Sequence, residues 1–234
     1  MLGFILFNGI CIGLFFVMSD FGTALIFFVT FLFIAFMRSG NFKTIILAEA
    51  AAILGVMLIL TVKPYIAQRF QAWGHVWDYA ASDGYQQVHT LIDSASGGLF
   101  GLGIGKGNLH YIFAHESDLI FGLVSEETGL VTALLLALVV GGFMVYSRSI
   151  STTSRSAFYS IAASTSGGML VFQAMLNIFG VTDLLPLTGV TLPFVSYGGS
   201  SMMACWCLLA FIKAADERTY SQKIVRSGTR NTDE

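Results

Sequence analysis

Six long stretches of this 234-residue sequence are almost free of charged residues, and this feature limits its possible folds more than any other. The stretches are residues 1–19, 21–37, 44–62, 119–146, 157–181 and 194–212. A bilayer core is crossed by about 20 mostly apolar residues of α-helix. The first stretch lacks the basic n-region of a signal peptide, so we interpret it as a span. The sequence therefore predicts an all-α polytopic membrane protein with about six transmembrane helices.

The composition agrees with a membrane protein and excludes several kinds of site. Hydrophobic residues make up 55% of the chain and charged residues only 11%. The net charge of −2 is too balanced for a surface that binds nucleic acid. The odd set of Cys11, Cys205 and Cys207 has no CxxC spacing, which indicates neither a disulfide framework nor a zinc site. His110 and His115 do not share a helical face, so we predict no metal ligands.

The basic residues predict the orientation in the membrane, because Lys and Arg concentrate in cytoplasmic loops. With a cytoplasmic C-terminus, only Lys63, Arg69 and Lys106 of the 12 basic residues are extracytoplasmic. The predicted organisation is three transmembrane helices in residues 1–62, a large extracytoplasmic loop in 63–117, three more helices in 118–214 with an outer loop at 182–199, and a cytoplasmic tail in 215–234.

The large loop contains the strip GGLFGLGIGKG, residues 97–107, in which six of 11 residues are glycine. A glycine-rich backbone can direct its N–H groups toward phosphate oxygens. A nucleotide P-loop is excluded because Lys106 is followed by Gly107 and not by Ser or Thr. Two interpretations stay open, namely a flexible or re-entrant loop and a cradle for a lipid-linked pyrophosphate.

Asp118 follows Ser117 where the large loop meets the fourth apolar stretch. Such a pair can cap the helix, and a carboxylate kept ionised there can also act as a general base. At about 100° per residue, Glu126 lies about 80° and Glu127 about 180° around the helix from Asp118. A two-carboxylate glycosidase mechanism is therefore disfavoured. We assign Glu126 and Glu127, about two turns into the membrane, to structural pairing.

Several motifs along the chain resemble the RodA/FtsW/SpoVE (SEDS) family of bacterial shape, division and sporulation proteins. They are SDFGTAL (19–25), RFQAW (69–73), GYQQ (84–87), the glycine-rich strip (97–107), HESDLIF with the following EETG (115–129), and TGVTLPFVSYGGSS (188–201). The last motif is the most specific. The chain departs from the family at Phe113-Ala114, where Leu-Pro is common, and in DLIF, where DFIF is commoner.

The resemblance implies an inverting peptidoglycan glycosyltransferase of the bacterial cytoplasmic membrane that polymerises lipid II. It implies that Asp118 removes the proton from the acceptor sugar's 4-hydroxyl, and that undecaprenyl pyrophosphate leaves. The candidate substrate-binding residues are Arg69, Lys106, Gly101, Gly103, Gly105, Ser196 and Tyr197. A divalent cation is a further candidate for stabilising the leaving group, and no other cofactor is expected.

The expected partners are lipid II, the undecaprenyl-pyrophosphate-linked glycan, the membrane and a class B penicillin-binding protein. A lipid II flippase, which would need Glu126 and Glu127, and a non-catalytic scaffold that activates a transpeptidase remain alternatives. Because the family has about ten spans, we expect this chain to lack the N-terminal half of that ten-helix fold, and to be poorly stable or inactive alone. The motifs do not separate the elongation, division and sporulation branches.

Overall fold

The computed structural model describes residues 2–18, 20–40, 46, 50, 70–154 and 156–230, and every regular element in these ranges is helical. The α-helices are α1 (Leu2–Val17), α2 (Phe21–Ser39), α3 (Tyr85–Ser96), α4 (Ile120–Thr128), α5 (Leu130–Thr153), α6 (Ala157–Val181) and α7 (Gly199–Arg230). A 3₁₀ turn, Leu109–Tyr111, lies between α3 and α4. The predicted all-α class is confirmed.

Three of the described helices are long and apolar enough to cross a membrane, namely α2, α5 and α6. Helix α1 is apolar along its length but, at 16 residues, is shorter than the roughly 20 residues that usually cross a bilayer. The sixth predicted stretch coincides largely with the first half of α7. Most of the third stretch, residues 44–62, lies outside the described residues. The polytopic helical fold is thus supported, and the number of six spans stays a prediction.

The fourth apolar stretch, residues 119–146, was predicted as one span, but it forms two helices. They separate at Gly129, whose φ of 89° and ψ of 164° are far from helical values. A Cβ on Gly129 would overlap the backbone of Leu99 and Gly101, so residue 129 is also pressed against the glycine-rich loop. Glu126 and Glu127 therefore lie in the short α4 before α5, and their predicted depth in the membrane stays a prediction.

Helix α6 is the centre of the described bundle and packs against α2, α5 and α7. Half of its most apolar window is buried, compared with 17% for α2 and α5. Gly167 of α6 leaves no room for a Cβ beside Ser147 of α5, which lets the two helices cross closely. On the outer face of α5, Leu134, Leu135 and Leu138 are exposed, as expected for side chains that face lipid.

Two loops meet at the end of the bundle where α5 begins and α6 ends. One is the segment that leads into α4, and the other is the connection between α6 and α7. Leu109, Leu119 and Leu192 from these loops are at most 1% exposed and belong to one apolar cluster. Burial of this cluster holds the two loops together and positions the polar groups that they carry.

Candidate active site

Asp118 lies in a tight loop that immediately precedes α4. Ala114 begins the loop with a φ of 65°, and its carbonyl accepts hydrogen bonds from the backbone N–H groups of Asp118 and Leu119, at 3.0 and 3.2 Å. Helix α4 begins at Ile120 with Leu119 at its N-cap. The half-buried Asp118 side chain is therefore one residue before the N-cap, near the positive end of the helix dipole.

Two neighbours restrict the position of Asp118. Its carbonyl oxygen accepts a hydrogen bond of 2.8 Å from Nδ2 of Asn177, a buried residue of α6. Its carboxylate faces Gly189, since Oδ2 lies 3.4 Å from where a Cβ on Gly189 would be. Gly189 has a φ of 72°, a conformation that glycine adopts readily and other residues rarely. The carboxylate thus lies against a backbone that carries no side chain.

The loop between α6 and α7 is joined to the segment before Asp118 by Ser196 and Tyr197. The Ser196 hydroxyl accepts from the N–H of Leu192 at 2.7 Å and donates to the carbonyl of Ser117 at 2.6 Å. The Tyr197 N–H donates to the carbonyl of Glu116 at 2.8 Å. Ser196 is 3% exposed, whereas Tyr197 is 80% exposed. Of these two predicted binding residues, Ser196 positions the loop, and Tyr197 presents its ring to solvent beside Asp118's segment.

The glycine-rich loop packs against the C-terminal end of α4 and uses its own N–H groups to do so. The N–H of Gly101 donates to Gly97 at 2.8 Å, and that of Gly103 donates to the carbonyl of Glu127 at 2.9 Å. The N–H of Gly105 donates to a carboxylate oxygen of Glu127 at 3.0 Å. All three glycines have positive φ values. The amides predicted to cradle a pyrophosphate are therefore engaged within the protein, and phosphate binding by them stays a prediction.

Glu126 fixes the far end of the same loop. Its side chain is fully buried, and its carboxylate accepts hydrogen bonds from the backbone N–H groups of Asn108 and Leu109, at 2.5 and 3.0 Å. A Cβ on Gly107 would overlap that carboxylate, so only glycine fits there. The partners of Glu126 and Glu127 are thus backbone amides, where the sequence indicated pairing without identifying the partner.

Of the two cationic residues that the sequence predicts as substrate-binding, the structure describes Lys106 only. Lys106 is exposed, and its alkyl chain lies along Gly103, with Cδ 3.4 Å from where a Cβ on Gly103 would be. Arg69 lies outside the described residues. Among the part of the chain that the structure describes, no group of three or more His, Cys, Asp or Glu residues could hold a metal ion.

Sequence reasoning missed Asp93, an acidic residue of α3 that is 8% exposed. Burial raises the pKa of the Asp93 carboxyl above its usual value, and the charge of Glu126 raises that pKa further, while His89 lowers it. It also missed Asn177 and Gln173, two polar residues on α6 that are at least nine-tenths buried. Polar residues within an apolar helix that turn toward the protein interior are the signal that could have found these two.

The structure arranges the candidate residues as two groups joined by α4. Asp118, Ser196 and Tyr197 lie at the N-terminal end of this helix, and the glycine-rich loop lies at its C-terminal end. The helix rises about 9 Å between Ile120 and Glu126. The half-buried carboxylate of Asp118 and the exposed ammonium group of Lys106 thus lie near opposite ends of α4.

Comparison with known proteins places these motifs in a family. A sequence model of the FtsW/RodA/SpoVE family, described as cell cycle protein, matches residues 1–221. "Probable peptidoglycan glycosyltransferase FtsW" of Dichelobacter nodosus is 32% identical over 210 residues, which cover 87% of this chain and 52% of the relative. "Peptidoglycan glycosyltransferase RodA" of Mycobacterium tuberculosis is 31% identical over 198 residues, which cover 83% and 41%. The chain spans about half the length of these curated relatives.

The fold is also similar to that of a solved structure, described as "Structural coordination of polymerization and crosslinking by a peptidoglycan synthase complex". The TM-score is 0.71 at 23% sequence identity, and the match covers 92% of this chain and 61% of the other chain. At this level of identity, the similarity supports the helical fold.

Proposed function

Because the chain belongs to the FtsW/RodA/SpoVE family of cell cycle proteins, we propose that it polymerises lipid II as an inverting peptidoglycan glycosyltransferase. The observation that carries this proposal is the position of Asp118. Its carboxylate is half-buried at the junction of two loops and lies against the bare backbone of Gly189. A fixed and accessible carboxylate can accept a proton from a bound hydroxyl group.

In the proposed reaction, Asp118 removes the proton from the 4-hydroxyl of the acceptor sugar. The electron pair on the deprotonated 4-oxygen forms a bond to the anomeric carbon of the lipid-linked chain, while the bond from that carbon to undecaprenyl pyrophosphate breaks. The anomeric configuration inverts, and the leaving pyrophosphate carries the negative charge away. We assign electrostatic stabilisation of this charge to Lys106 and Arg69, because the loop amides already donate within the protein.

The polymerase is favoured over the flippase by the surroundings of Glu126 and Glu127. A flippase would use these carboxylates as ionisable groups along a path through the membrane. Both instead lie in α4, outside the three candidate spans of the described residues, and accept hydrogen bonds from the backbone N–H groups of Gly105, Asn108 and Leu109. Their role is therefore best explained as shaping the loop.

We further propose that the site is extracytoplasmic and that the C-terminus is cytoplasmic. Asp118 is at the end of the bundle where α5 begins, whereas Arg148 is near the opposite end of α5. Arg38 is likewise in the last turn of α2, whose first turn packs against the loop that contains Gly189. Basic residues thus collect at the end away from the site, as expected for the cytoplasmic side.

A class B penicillin-binding protein is the proposed partner, which would crosslink the glycan product.

The test is polymerisation of purified lipid II by this chain, alone and with a class B penicillin-binding protein, with glycan length read on a gel. Wild type is expected to be inactive alone but to form polymer with the partner, and Asp118→Asn should lower that rate by about 10²- to 10⁴-fold, the range for loss of a general base. Glu116→Gln is the matched control, because Glu116 is an exposed acid two positions away and should keep near wild-type activity. Chelation by EDTA, followed by addition of Mg²⁺, tests the proposed divalent cation.

The outcomes separate the three classes of function. No polymer from folded wild type under either condition would contradict the proposed polymerase. Equal polymer from wild type and Asp118→Asn would remove Asp118 from the mechanism. Stimulation of the partner's transpeptidase by both proteins, without polymer from either, would establish the scaffold.

A further inference from the structure

Asn177 joins the loop that carries Asp118 to the loop that faces it. Its side-chain Nδ2 donates to the carbonyl of Asp118 at 2.8 Å and to the carbonyl of Val190 at 2.7 Å. Asn177 is 2% exposed and comes from α6, the central helix of the bundle. One buried amide on a packed helix therefore holds two main-chain positions that are far apart in sequence.

The orientation of this amide follows from its partners. Both partners are carbonyl oxygens, which only accept hydrogen bonds, so the NH₂ group must face them. The carbonyl oxygen Oδ1 of Asn177 then points elsewhere, and it is buried without a hydrogen-bond partner among the residues that the structure describes. An unpaired buried acceptor costs folding free energy, which offsets much of what the two hydrogen bonds of Asn177 contribute to stability.

The two carbonyl groups that Asn177 binds belong to the two segments that meet at the Asp118 carboxylate. One belongs to Asp118 itself, and the other belongs to Val190, the residue after Gly189. The Asp118 Oδ2 lies 3.4 Å from the Cβ position of Gly189. Fixing both carbonyls therefore sets how closely the carboxylate approaches the opposite loop.

We propose that Asn177 is a positioning residue, which holds the Asp118 carboxylate at the distance from the Gly189 loop that the acceptor hydroxyl requires. This inference rests on the proposed function of Asp118 as the general base. Asn177 acts through the main chain of Asp118 and does not itself touch the substrate. Loss of its two hydrogen bonds should slow the chemical step, because displacing a catalytic group by about 1 Å can cost about 100-fold in rate.

Gln173 provides a matched comparison on the same face of α6, four residues before Asn177. It is 9% exposed, and its Nε2 donates at 3.0 Å to both the carbonyl and the hydroxyl of Thr191. Gln173 thus binds the same loop from the same helix through the same kind of group. It differs because its bonds reach only that loop and not the segment of Asp118.

The test compares Asn177→Leu with Gln173→Leu, measuring kcat and KM for lipid II polymerisation beside thermal unfolding of the detergent-solubilised full chain. Asn177→Leu should lower kcat by about 10- to 100-fold with KM within about twofold. Gln173→Leu should lose comparable thermal stability, yet keep kcat within about threefold. If kcat falls equally in both variants, or in neither, the positioning role is overturned.

A second measurement does not depend on activity. Hydrogen exchange of the peptide 114–119, which contains the amides of Asp118 and Leu119, should be faster in Asn177→Leu than in wild type and unchanged in Gln173→Leu. Unchanged exchange in Asn177→Leu would overturn the inference even if the enzyme were inactive. The proposed function fails on a different result, namely wild type without polymer or Asp118→Asn with full activity.

Discussion

Replacing Glu126 by glutamine should release the glycine-rich loop from α4. The fully buried carboxylate accepts two backbone hydrogen bonds, from Asn108 and Leu109. Glutamine keeps one acceptor oxygen, but its NH₂ group would face the second N–H and leave it unsatisfied, at about 1–3 kcal/mol. Loss of charge weakens the remaining bond by about 1 kcal/mol, so we expect the loop to open more easily by about 2–4 kcal/mol.

Hydrogen exchange of the loop measures this change directly. Because about 1.4 kcal/mol corresponds to a factor of ten, the amides of Asn108 and Leu109 should exchange about 30- to 700-fold faster in Glu126→Gln than in wild type. The measurement uses mass spectrometry of peptides covering residues 97–111, with the protein in detergent micelles. Relief of repulsion between Glu126 and Asp93 acts in the opposite direction and favours the lower part of the range.

Glu127→Gln is the matched control for this experiment. Glu127 is half-buried and accepts one side-chain hydrogen bond, from the N–H of Gly105 at 3.0 Å. Glutamine can keep that bond, so the change should stay below about 1 kcal/mol, or about fivefold in exchange. The reasoning is refuted if Glu126→Gln exchanges like wild type, or if both variants accelerate exchange to the same extent.

Two other predictions concern packing and ionisation. Gly167→Ala should destabilise the protein by about 1–3 kcal/mol in thermal unfolding, because its Cβ would overlap α5. Gly168→Ala should be neutral or slightly stabilising, since its Cβ would lie 3.9 Å from the nearest atom, and equal effects would contradict the proposed close crossing. Burial and Glu126 raise the pKa of Asp93, so wild type loses stability as pH rises from the usual value of 3.8 through the raised one. Asp93→Asn lacks this loss, so its advantage in Tm should grow over that pH window and vanish below it, whereas a difference independent of pH would contradict the assignment.

The sequence was sufficient for the helical class because apolar stretches of 17 or more residues with few or no charges have few other solutions in a bilayer. The division of the fourth stretch at Gly129 was not predictable by the same reasoning, because an uncharged glycine does not interrupt an apolar stretch of sequence. Its φ of 89° and its contact with the loop at Leu99 arise from tertiary packing. The preceding EET-Gly pattern, with glycine directly after the last helical residue, was the available local signal.

The candidate site could be predicted as a set of residues but not as a set of hydrogen bonds. The motif HESDLIF made Asp118 a candidate through a resemblance, and the glycine-rich strip, residues 97–107, forms turns and irregular structure. Whether the glycine N–H groups were free for a ligand depended on the partners that Glu127 and Gly97 provide in three dimensions. Neither composition nor spacing contains that information.

The short helix α4 explains why acidic residues of different roles occur within ten positions of each other. Before its first turn, the main chain of Asp118 is held by Asn177, which leaves the carboxylate at a loop junction where it can meet a hydroxyl. In its last turn, the Glu126 carboxylate is fully buried and its acceptor oxygens are occupied by backbone N–H groups. A general base needs access to its substrate, and a loop anchor does not. Burial therefore separates the proposed catalytic acid, which is half-buried, from the structural one, which is fully buried, although both are carboxylates beside the same apolar stretch of the sequence.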